Sequence, residues 1–408
     1  MYEHIVIVGA GQGAVQAIDA LRRKGFGGAL TLIGEEPWLP YQRPPLSKKY
    51  LAGSLERERL LIRPPGYFAE HRVTTHLGRR VTAIARRERQ VRLDDGLVIG
   101  YDALLLATGS RPRTLPLPGA QLPGVHTLRT IADVDRIRAA CRSGARMVVI
   151  GGGYIGLEVA ATARELGLEV TVLEMAARLM SRVTCEEVAA FYAAEHARAG
   201  VRIVCDARVR ALHAGADGRV CEVLTEDAGE IPAELVIIGV GVAPADELAR
   251  AAGLDCENGV LTDAHCRTSD AAIYAIGDCA SHLHRLYGRH LRLESVDNAF
   301  EQGNTVALNL LGTPTPHEKL PWFWSDQYDL KLIIVGVNHG YQRVVLRGAP
   351  TTRSFSACYL RGAELIAIDT INAPKDQMAA RKLIASHPRM DTQRLADPAI
   401  ALKDCVQP

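Results

Sequence analysis

The sequence predicts an α/β protein with two similar strand–turn–helix units and a smaller α+β domain toward its C-terminal end. An apolar run at residues 5–8 leads into a glycine-rich turn and a helical pattern, and residues 148–150 begin a second copy of this arrangement. After residue 316 the chain changes to several short apolar runs at strand spacing. A chain of 408 residues is too long for one core, so two or three domains are expected.

Both copies have the spacing Gly-x-Gly-x-x-Gly, with alanine as the last member of the first copy. The first glycine makes the tight turn, the second lets a pyrophosphate approach the backbone, and the third lets the helix pack closely on the strand. The pyrophosphate then lies at the helix N-terminus, where free N–H groups favour anions. Two motifs in one chain indicate two dinucleotide sites in Rossmann-like domains. The motif positions are Gly9, Gly11 and Ala14 in the first copy and Gly151, Gly153 and Gly156 in the second.

The first unit continues with a predicted helix over residues 14–24 and a strand over residues 30–35. Glu35 ends this strand, where a βαβ unit places an acid that binds the ribose hydroxyls. An exposed acid after a strand is the alternative, because Glu36 is adjacent.

Residues 40–49 form a proline-rich segment after that strand. The prolines predict a non-helical loop, in which Ser47 caps the next segment of the chain. The loop would bring Arg43 and Lys48 to the mouth of the first nucleotide site, where cations neutralise phosphate. Taken alone, a basic surface loop explains these residues equally well.

Four further features complete the first unit and lead out of it. Residues 81–84 and 90–93, with a turn at 94–96, predict a small hairpin. A buried strand within residues 101–112 breaks at a Thr-Gly turn, and the proline-rich run 112–123 predicts a crossover between domains. Arg129 opens the helix that leads to the second unit.

The second unit has a predicted helix over residues 155–166 and a strand over residues 169–174. Glu174 ends that strand, where an acid binds both adenosine ribose hydroxyls and repels a 2′-phosphate, which favours NADH over NADPH. Arg178 argues the other way. Hairpin-like strands within residues 201–224 and a strand over residues 234–244 come next.

The chain then returns toward the first unit. A strand over residues 272–279 ends in Gly-Asp, and a helix from about residue 295 to 311 could direct its N-terminus at a cofactor. Asp278 at the strand's carboxyl end suits a hydrogen bond to a sugar-alcohol hydroxyl. A generic turn aspartate is the alternative.

The last part of the chain predicts antiparallel strands followed by a helix over residues 376–386. Trp322 and Trp324 are two of only three tryptophans. Alternation along a strand would place both on one face, and the flanking prolines put them at a domain edge. The alternative is that they form the core of this domain.

Composition excludes several classes of function. A net charge of +2 is no signature of nucleic-acid binding, and no apolar run is long enough to cross a bilayer. The first residues enter a strand at once, so no signal peptide and a cytoplasmic location are expected. The nine cysteines are scattered without a C-x-x-C, which disfavours a redox disulfide or a metal cluster. His282 and His284 share a strand face, but no further ligand stands at suitable spacing, which favours two surface histidines over a metal site.

Taken together, these motifs resemble the FAD-dependent, NADH-linked ferredoxin reductases of bacterial oxygenase systems, and the resemblance covers the whole chain. It implies a glutathione-reductase-like fold with a discontinuous FAD domain, an inserted NAD domain and a C-terminal domain. The boundaries expected are 1–111 and 245–318 for FAD, 112–244 for NAD and 319–408 for the last domain. The motifs are Gly9-x-Gly11, residues 43–48, Ala107-Thr108-Gly109, residues 151–158, Gly277-Asp278, residues 294–296 and residues 321–327.

The resemblance also implies roles for individual residues. Ile155 and Glu158 would contact the nicotinamide end of NADH, with Glu174 on its adenosine ribose. Trp324 would lie near the flavin, on the side from which a ferredoxin takes electrons. The residues expected to contact FAD are Gly13, Glu35, Lys48, Val81, Arg129, Asp278 and Val296. The further cofactor-binding candidates are Gly9, Gly11, Ala14, Arg43, Ala107, Thr108, Gly109, Gly151, Gly153, Gly156 and Gly241.

The function implied is hydride transfer from NADH to FAD, followed by single-electron transfer to a [2Fe–2S] ferredoxin that serves a cytochrome P450 or a ring-hydroxylating dioxygenase. No side-chain acid, base or nucleophile is required. A disulfide reductase or NADH oxidase of the same fold is an alternative, but it needs a reactive cysteine in the loop 36–49, which contains none. A flavin-binding interaction protein of the apoptosis-inducing-factor type is the alternative from another class.

Overall fold

A computed structural model describes residues 2–407 of the chain. It divides into two compact units, which are described separately. The first unit contains the chain up to Gln42, Arg57–Arg111 and Ala243–Pro321. The second contains Arg43–Glu56, Pro112–Val242 and the chain from Trp322 onward. Residues 43–49 of the proline-rich segment therefore belong to the second unit, whereas residues 40–42 belong to the first. The domain boundaries expected from the sequence stay predictions.

The first unit is built on a parallel sheet of β1 (His4–Val8), β2 (Ala29–Gly34), β3 (Val73–Leu77), β7 (Ala103–Leu106) and β19 (Ile273–Ala275). The strand order is β19–β7–β1–β2–β3, and all neighbours are parallel. Side chains alternate between the two faces of this sheet along each strand, and apolar residues on both faces are packed against other elements. Ile5 and Ile7 pack with helix residues Leu21 and Val306 on one face, whereas Val6 packs on the other.

Within residues 2–407, two small sheets and four α-helices also belong to the first unit. The helices are α1 (Gln12–Arg23), α2 (Tyr67–Glu70), α6 (Glu247–Ala251) and α7 (Val296–Leu310). One small sheet contains β4 (Val81–Ala85), β5 (Gln90–Leu93) and β6 (Val98–Gly100), and the other contains β18 (Val260–Thr262), β20 (Ala280–His284) and β21 (Arg289–Leu291). α1 follows β1 at the carboxyl edge of the parallel sheet. A Cβ at Gly13, near the start of α1, would lie 3.2 Å from the carbonyl oxygen of Ala299, near the start of α7, so both helix N-termini lie at this edge.

The second unit repeats the parallel arrangement. Its strands are β9 (Val125–His126), β10 (Arg146–Ile150), β11 (Glu169–Leu173), β12 (Arg202–Val204) and β16 (Leu235–Ile238), in the order β12–β11–β10–β16–β9. Its helices are α3 (Ile131–Ala140), α4 (Tyr154–Glu165) and α5 (Glu186–Arg198). A hairpin sheet contains β13 (Val209–Ala214), β14 (Val220–Thr225) and β15 (Glu230–Pro232). Two short strands, β8 (Ser110–Pro112) and β17 (Val242–Pro244), lie where the chain passes between units.

An antiparallel sheet forms the C-terminal part of the second unit. Its strands are β22 (Trp322–Gln327), β23 (Leu330–Gly336), β24 (Arg343–Ala349), β25 (Ser354–Arg361) and β26 (Glu364–Ile371), in the order β22–β23–β26–β25–β24. The helices α8 (Pro374–Leu383) and α9 (Thr392–Ala396) come after the last strand. The predicted α/β class with two parallel sheets and a C-terminal α+β part is confirmed.

Several local predictions need correction. The segment predicted as a non-helical loop contains a 3-10 helix, Pro44–Ser47, because proline suits the first position of a helical turn. Residues 202–204 are a parallel strand beside β11 and not part of a hairpin, although β13 and β14 do form one. The strand predicted over residues 234–244 is split into β16 and β17. No helix of residues 2–407 is long and apolar enough to cross a membrane.

Candidate functional site: two glycine turns and a buried carboxylate

The first glycine turn joins three strands of the first sheet. Gly9 has φ +107°, and a Cβ there would lie 2.1 Å from the carbonyl oxygen of Ala107. The Gly9 N–H donates to the carbonyl of Ile33 in β2 (2.8 Å). Only glycine combines this backbone conformation with so close an approach. The turn therefore brings together two predicted site segments, the first glycine motif and Ala107-Thr108-Gly109.

The N-terminus of α1 is open to an anion. Gly11 precedes the helix, and no side chain of the described chain caps it. A Cβ at Gly11 would meet none of the described heavy atoms within 4 Å. A Cβ at Gly13, by contrast, would lie 3.1 Å from Ile276 Cδ1, so this glycine serves close packing beneath the turn. Ala14, the third motif position, is fully buried.

The acids predicted in the first unit differ in their surroundings. Glu35 lies just after β2 with its side chain 41% exposed, and it accepts from Arg80 Nη2 (2.6 Å) and Arg111 Nη2 (3.1 Å). Asp278 Oδ2 accepts from Ser110 Oγ (2.7 Å). Both acids thus lie near the carboxyl edge of the first sheet, and their predicted contacts with FAD stay predictions.

The other candidates of this unit lie at the same sheet edge or beside it. Thr108 Oγ1 donates to the carbonyl of Ala245 (2.6 Å), and the Gly109 carbonyl accepts from the N–H of Ala245 (2.9 Å). Val296 is the first residue of α7, whose cap Ser295 accepts from the backbone of Asn298. Val81 begins β4 and is buried.

The second glycine turn has the same backbone geometry. Gly151 has φ +112°, and a Cβ there would lie 2.4 Å from the carbonyl oxygen of Gly239. Gly153 precedes α4 without a side-chain cap from residues 2–407, and its Cβ position meets none of their heavy atoms within 4 Å. A Cβ at Gly156 would lie 2.1 Å from the Gly151 carbonyl oxygen. Gly241, with φ +97°, lies after β16 at the same sheet edge.

Glu174 points back at this turn. Its Oε2 accepts from the backbone N–H of Gly152 (2.7 Å) and its Oε1 from that of Ala176 (2.8 Å). Arg178, which argued for a 2′-phosphate, donates through Nη2 to the carbonyl of Ser181 (3.1 Å). The carboxylate is therefore held at the turn while the nearby guanidinium is engaged by the backbone.

A buried carboxylate unites segments that the sequence analysis treated separately. Glu158 in α4 is 2% exposed. Its Oε2 receives Lys48 Nζ (2.6 Å) and Ser47 Oγ (2.6 Å), and its Oε1 receives Ser325 Oγ (2.7 Å). Ser47 does not cap the next segment as predicted, because its hydroxyl is engaged by this carboxylate. Sequence reasoning did not identify Ser325.

Two further cationic candidates of the second unit, Arg43 and Arg129, are in contact. Arg43 Nη1 donates to the carbonyl of Arg129 (2.6 Å). The backbone N–H of Arg129 donates to Asp133 Oδ2, and Thr130 and Asp133 form the reciprocal cap that begins α3. Capping residues therefore fix the place of Arg129 at the start of this helix.

The aromatic strand β22 has two different faces. Trp322 and Trp324 share one face, as predicted, with ring centroids 5.4 Å apart, and the Arg381 guanidinium lies 3.8 Å from the Trp322 ring centre. Phe323 on the other face contacts Tyr154 of α4 at 5.0 Å. Ile155, the next residue of α4, is 46% exposed, an apolar side chain in water at the open helix end.

The prediction that His282 and His284 are surface residues is wrong. Both are fully buried, and the His317 ring lies 4.9 Å from that of His282. In β20 the apolar Leu283 is 40% exposed while the alternate histidines face inward, the reverse of the usual pattern. Burial lowers the pKa of His282 to about 4 and that of His317 to about 3. The described residues contain no group of three or more ligands that could hold a metal ion.

Comparison with known proteins gives consistent matches along the chain. A family model described as pyridine nucleotide-disulphide oxidoreductase matches residues 3–303, and a reductase C-terminal model matches residues 322–406. Rhodocoxin reductase of Rhodococcus erythropolis is 43% identical over 98% of this chain and 93% of its own. Putidaredoxin reductase of Pseudomonas putida is 42% identical over 99% and 97%. The crystal structure of the covalent putidaredoxin reductase–putidaredoxin complex aligns with a TM-score of 0.96, at 42% identity, over 99% of this chain and 98% of that one.

Proposed function

The chain belongs to the pyridine nucleotide-disulphide oxidoreductase family, and we propose that it is an FAD-dependent NADH:ferredoxin reductase of an oxygenase system. The observation that carries this proposal is the pair of glycine turns, each followed by an uncapped helix at the carboxyl edge of a parallel sheet. A flavin and a nicotinamide nucleotide both require such a turn for a pyrophosphate. We include the cytoplasmic location expected from the sequence in the proposal.

The first unit fits a flavin dinucleotide. The amides at the start of α1 would bind the pyrophosphate, since Gly11 leaves the backbone accessible. Glu35 would accept from the adenosine ribose, and Asp278, already oriented by Ser110, would accept from the ribityl chain. A flavin bound there would supply the redox chemistry, which is acceptance of a hydride from the nicotinamide and donation of single electrons to a [2Fe–2S] ferredoxin.

The second unit fits NADH better than NADPH. The α4 amides would bind the pyrophosphate, and the Glu174 carboxylate would accept from the adenosine ribose hydroxyls. A 2′-phosphate would bring its negative charge against this carboxylate. Arg178 donates to a backbone carbonyl and so is not directed to compensate for that charge.

The remaining candidate side chains would bind or orient the cofactors. Ile155, whose side chain is exposed, would offer an apolar surface to the nicotinamide ring. Lys48 holds a positive charge 2.6 Å from the buried Glu158 carboxylate, and this ion pair holds the partly exposed lysine in one place. Trp324 would lie on the path to the ferredoxin. This assignment requires no proton transfer by a side chain of the protein.

The proposal is tested by cytochrome c reduction with NADH and with NADPH, each with and without a [2Fe–2S] ferredoxin. The purified protein should be yellow and release FAD on denaturation, and fast turnover should require both NADH and the ferredoxin. Colourless protein that takes up no FAD would contradict the proposal. Fast NADH oxidation without ferredoxin would favour an oxidase instead.

A further inference from the structure

A chain of five buried or half-buried side chains runs from the β22–β23 turn to Glu158. Tyr328 Oη lies 3.0 Å from His196 Nδ1, and His196 Nε2 lies 2.8 Å from Gln327 Oε1. Gln327 Nε2 lies 3.2 Å from Ser325 Oγ, which is 2.7 Å from Glu158 Oε1. All five residues belong to the second unit. The chain connects α5, the antiparallel sheet and α4.

The donors of this chain can all point the same way. Ser325 donates its only hydroxyl hydrogen to the carboxylate, so its oxygen must accept from Gln327 Nε2. Gln327 Oε1 then accepts from His196, which assigns the imidazole hydrogen to Nε2 and makes Nδ1 the acceptor for Tyr328. Each bond therefore directs its positive end toward Glu158, and aligned bonds polarise one another.

Burial leaves these groups few alternative partners. Ser325 and His196 are fully inaccessible, and Gln327 is 1% exposed. Burial lowers the pKa of His196, which is consistent with a neutral imidazole. A buried polar network of this kind is costly unless its members are satisfied, and here His196, Gln327 and Ser325 each have a partner on both sides.

The distal end of the chain is backbone-strained. Tyr328 has φ +55° in the β22–β23 turn, where glycine would carry no penalty. Its hydroxyl nevertheless reaches His196, and its ring lies 5.0 Å from the imidazole. A bulky residue held in an unfavourable conformation with a specific side-chain contact points to a requirement for that contact.

We propose that Ser325, Gln327 and His196 are positioning residues, which hold the Glu158 carboxylate in one orientation and through it hold Lys48. The inference rests on the proposed function, since Glu158 and Ile155 occupy the first two turns of α4, at the expected nicotinamide end. One carboxylate oxygen serves Lys48 and Ser47 while Ser325 restrains the other. Without the Ser325 hydroxyl the carboxylate can rotate, and the lysine ammonium moves with it.

The test compares Ser325→Ala with Ser356→Ala in the holoenzyme. Ser356 is an equally buried serine of the same sheet, and it also donates to a carboxylate, Asp376 Oδ2 (2.9 Å). Two quantities are measured: the limiting rate of flavin reduction at saturating NADH and the dissociation constant of ADP-ribose. ADP-ribose lacks the nicotinamide and so reports only on the glycine turn and Glu174.

Ser325→Ala should lower the limiting rate about fivefold, the effect of losing one hydrogen bond and no more than the effect of losing the Glu158 charge itself. It should leave ADP-ribose affinity within about twofold of the wild type, and Ser325→Thr should restore most of the rate. Tyr328→Phe, at the far end of the chain, should lower the rate about two- to threefold. Ser356→Ala should change neither quantity.

Three outcomes would overturn the inference. Equal rates in Ser325→Ala and Ser356→Ala would remove the positioning role. Equal losses of rate and ADP-ribose affinity would indicate general damage to the second unit. A wild-type flavoprotein that NADH does not reduce would contradict the proposed function itself, whereas wild-type reduction with an unaffected Ser325→Ala contradicts only this inference.

Discussion

The two glycine turns have the same backbone and different chemistry one helical turn further on. Gly9 and Gly151 have φ of +107° and +112°, and both following helices lack a side-chain cap from residues 2–407. At matching positions of the two helices, however, α1 has Gln16 and α4 has Glu158, each 2% exposed. A neutral amide thus occupies the place that a carboxylate occupies in the second copy.

The partners of these two residues explain the difference. Gln16 Nε2 donates to Asn304 Oδ1 (2.8 Å) of α7, so it joins two packed helices. Glu158 instead receives Lys48 and two serines from outside its own βαβ unit. Under the proposed function the shared turn would bind phosphate in both units. The residue one helical turn later joins two helices in the first unit and makes an ion pair in the second.

Replacing the first glycine of each turn should have the largest effect. In Gly9→Ala and Gly151→Ala the new Cβ would lie 2.1 Å and 2.4 Å from a carbonyl oxygen, at a φ that alanine disfavours. Gly9→Ala should purify without flavin. Gly151→Ala should keep its flavin and lose reduction by NADH. Gly27→Ala, whose Cβ meets no described atom within 4 Å, is the matched control for visible absorption and stopped-flow assays.

The next largest effect is expected at the third motif position, where the two copies should respond differently to substitution. Gly156→Ala would place a Cβ 2.1 Å from the Gly151 carbonyl oxygen, which displaces α4 from the turn. We expect KM for NADH to rise at least about tenfold with full flavin content. Ala14→Gly in the first copy should cost only about 1 kcal/mol of helix stability. Equal KM values for Gly156→Ala and wild type would show that the two copies tolerate alanine alike.

Substitutions at Glu158 and Gln16, which occupy matching positions in the two helices, give the most direct test of the difference between the copies. Glu158→Gln keeps the shape and removes the charge beside Lys48, so the limiting rate of flavin reduction should fall about five- to tenfold. Gln16→Leu removes the bond to Asn304 and should lower the thermal midpoint without changing that rate by more than about twofold. A slower reduction in Gln16→Leu would assign the first helix an electrostatic role as well.

The sequence was sufficient for features that local pattern determines. Both glycine turns, the helices after them and the acid after each second strand lie within a residue or two of their predicted positions. The Glu158 cluster could not be read from local pattern, since Ser47 and Ser325 lie 111 and 167 residues away from it along the chain. In β22 the tryptophans are the conspicuous local signal. The contacts that Phe323, Ser325 and Gln327 make with α4 and α5 from its other face have no such signal in the sequence.

Replacing the acid that follows the second strand of each unit, Glu35 or Glu174, should have a smaller effect than the substitutions above. Glu174→Ala removes the carboxylate that opposes a 2′-phosphate, so the ratio of kcat/KM for NADH to that for NADPH should fall several-fold, up to about tenfold. Glu35→Ala leaves the second unit unchanged and should not alter this ratio, while its effect on the first unit is measured separately as flavin content. An unchanged ratio in Glu174→Ala would remove this residue from coenzyme selection.

The smallest expected effect is on stability in acid. It should arise in the first unit, because this unit contains the buried His282, His284 and His317. Burial lowers the pKa of His282 to about 4, and the nearby His284 and His290 add repulsion. The unfolded chain takes up a proton on this residue below about pH 6.5, whereas the folded chain does so only near pH 4. The contribution of the neutral imidazole to stability is therefore fully present above about pH 6.5 and is lost progressively as the pH falls to about 4.

His282→Leu fills the same buried space without this penalty and should raise the thermal midpoint at pH 5 by about 2 °C while leaving that at pH 7.5 nearly unchanged. Flavin fluorescence, which increases on release, reports on the first unit. Both proteins are compared in a Trp38→Phe background, in which tryptophan fluorescence comes only from Trp322 and Trp324 of the second unit. His213→Leu is a control, because His213 lies on the surface of the second unit, 45% exposed beside Glu222. Because the penalty belongs to one unit, His282→Leu should delay acid release of flavin more than it delays the tryptophan transition; equal delays would mean that the two units unfold together.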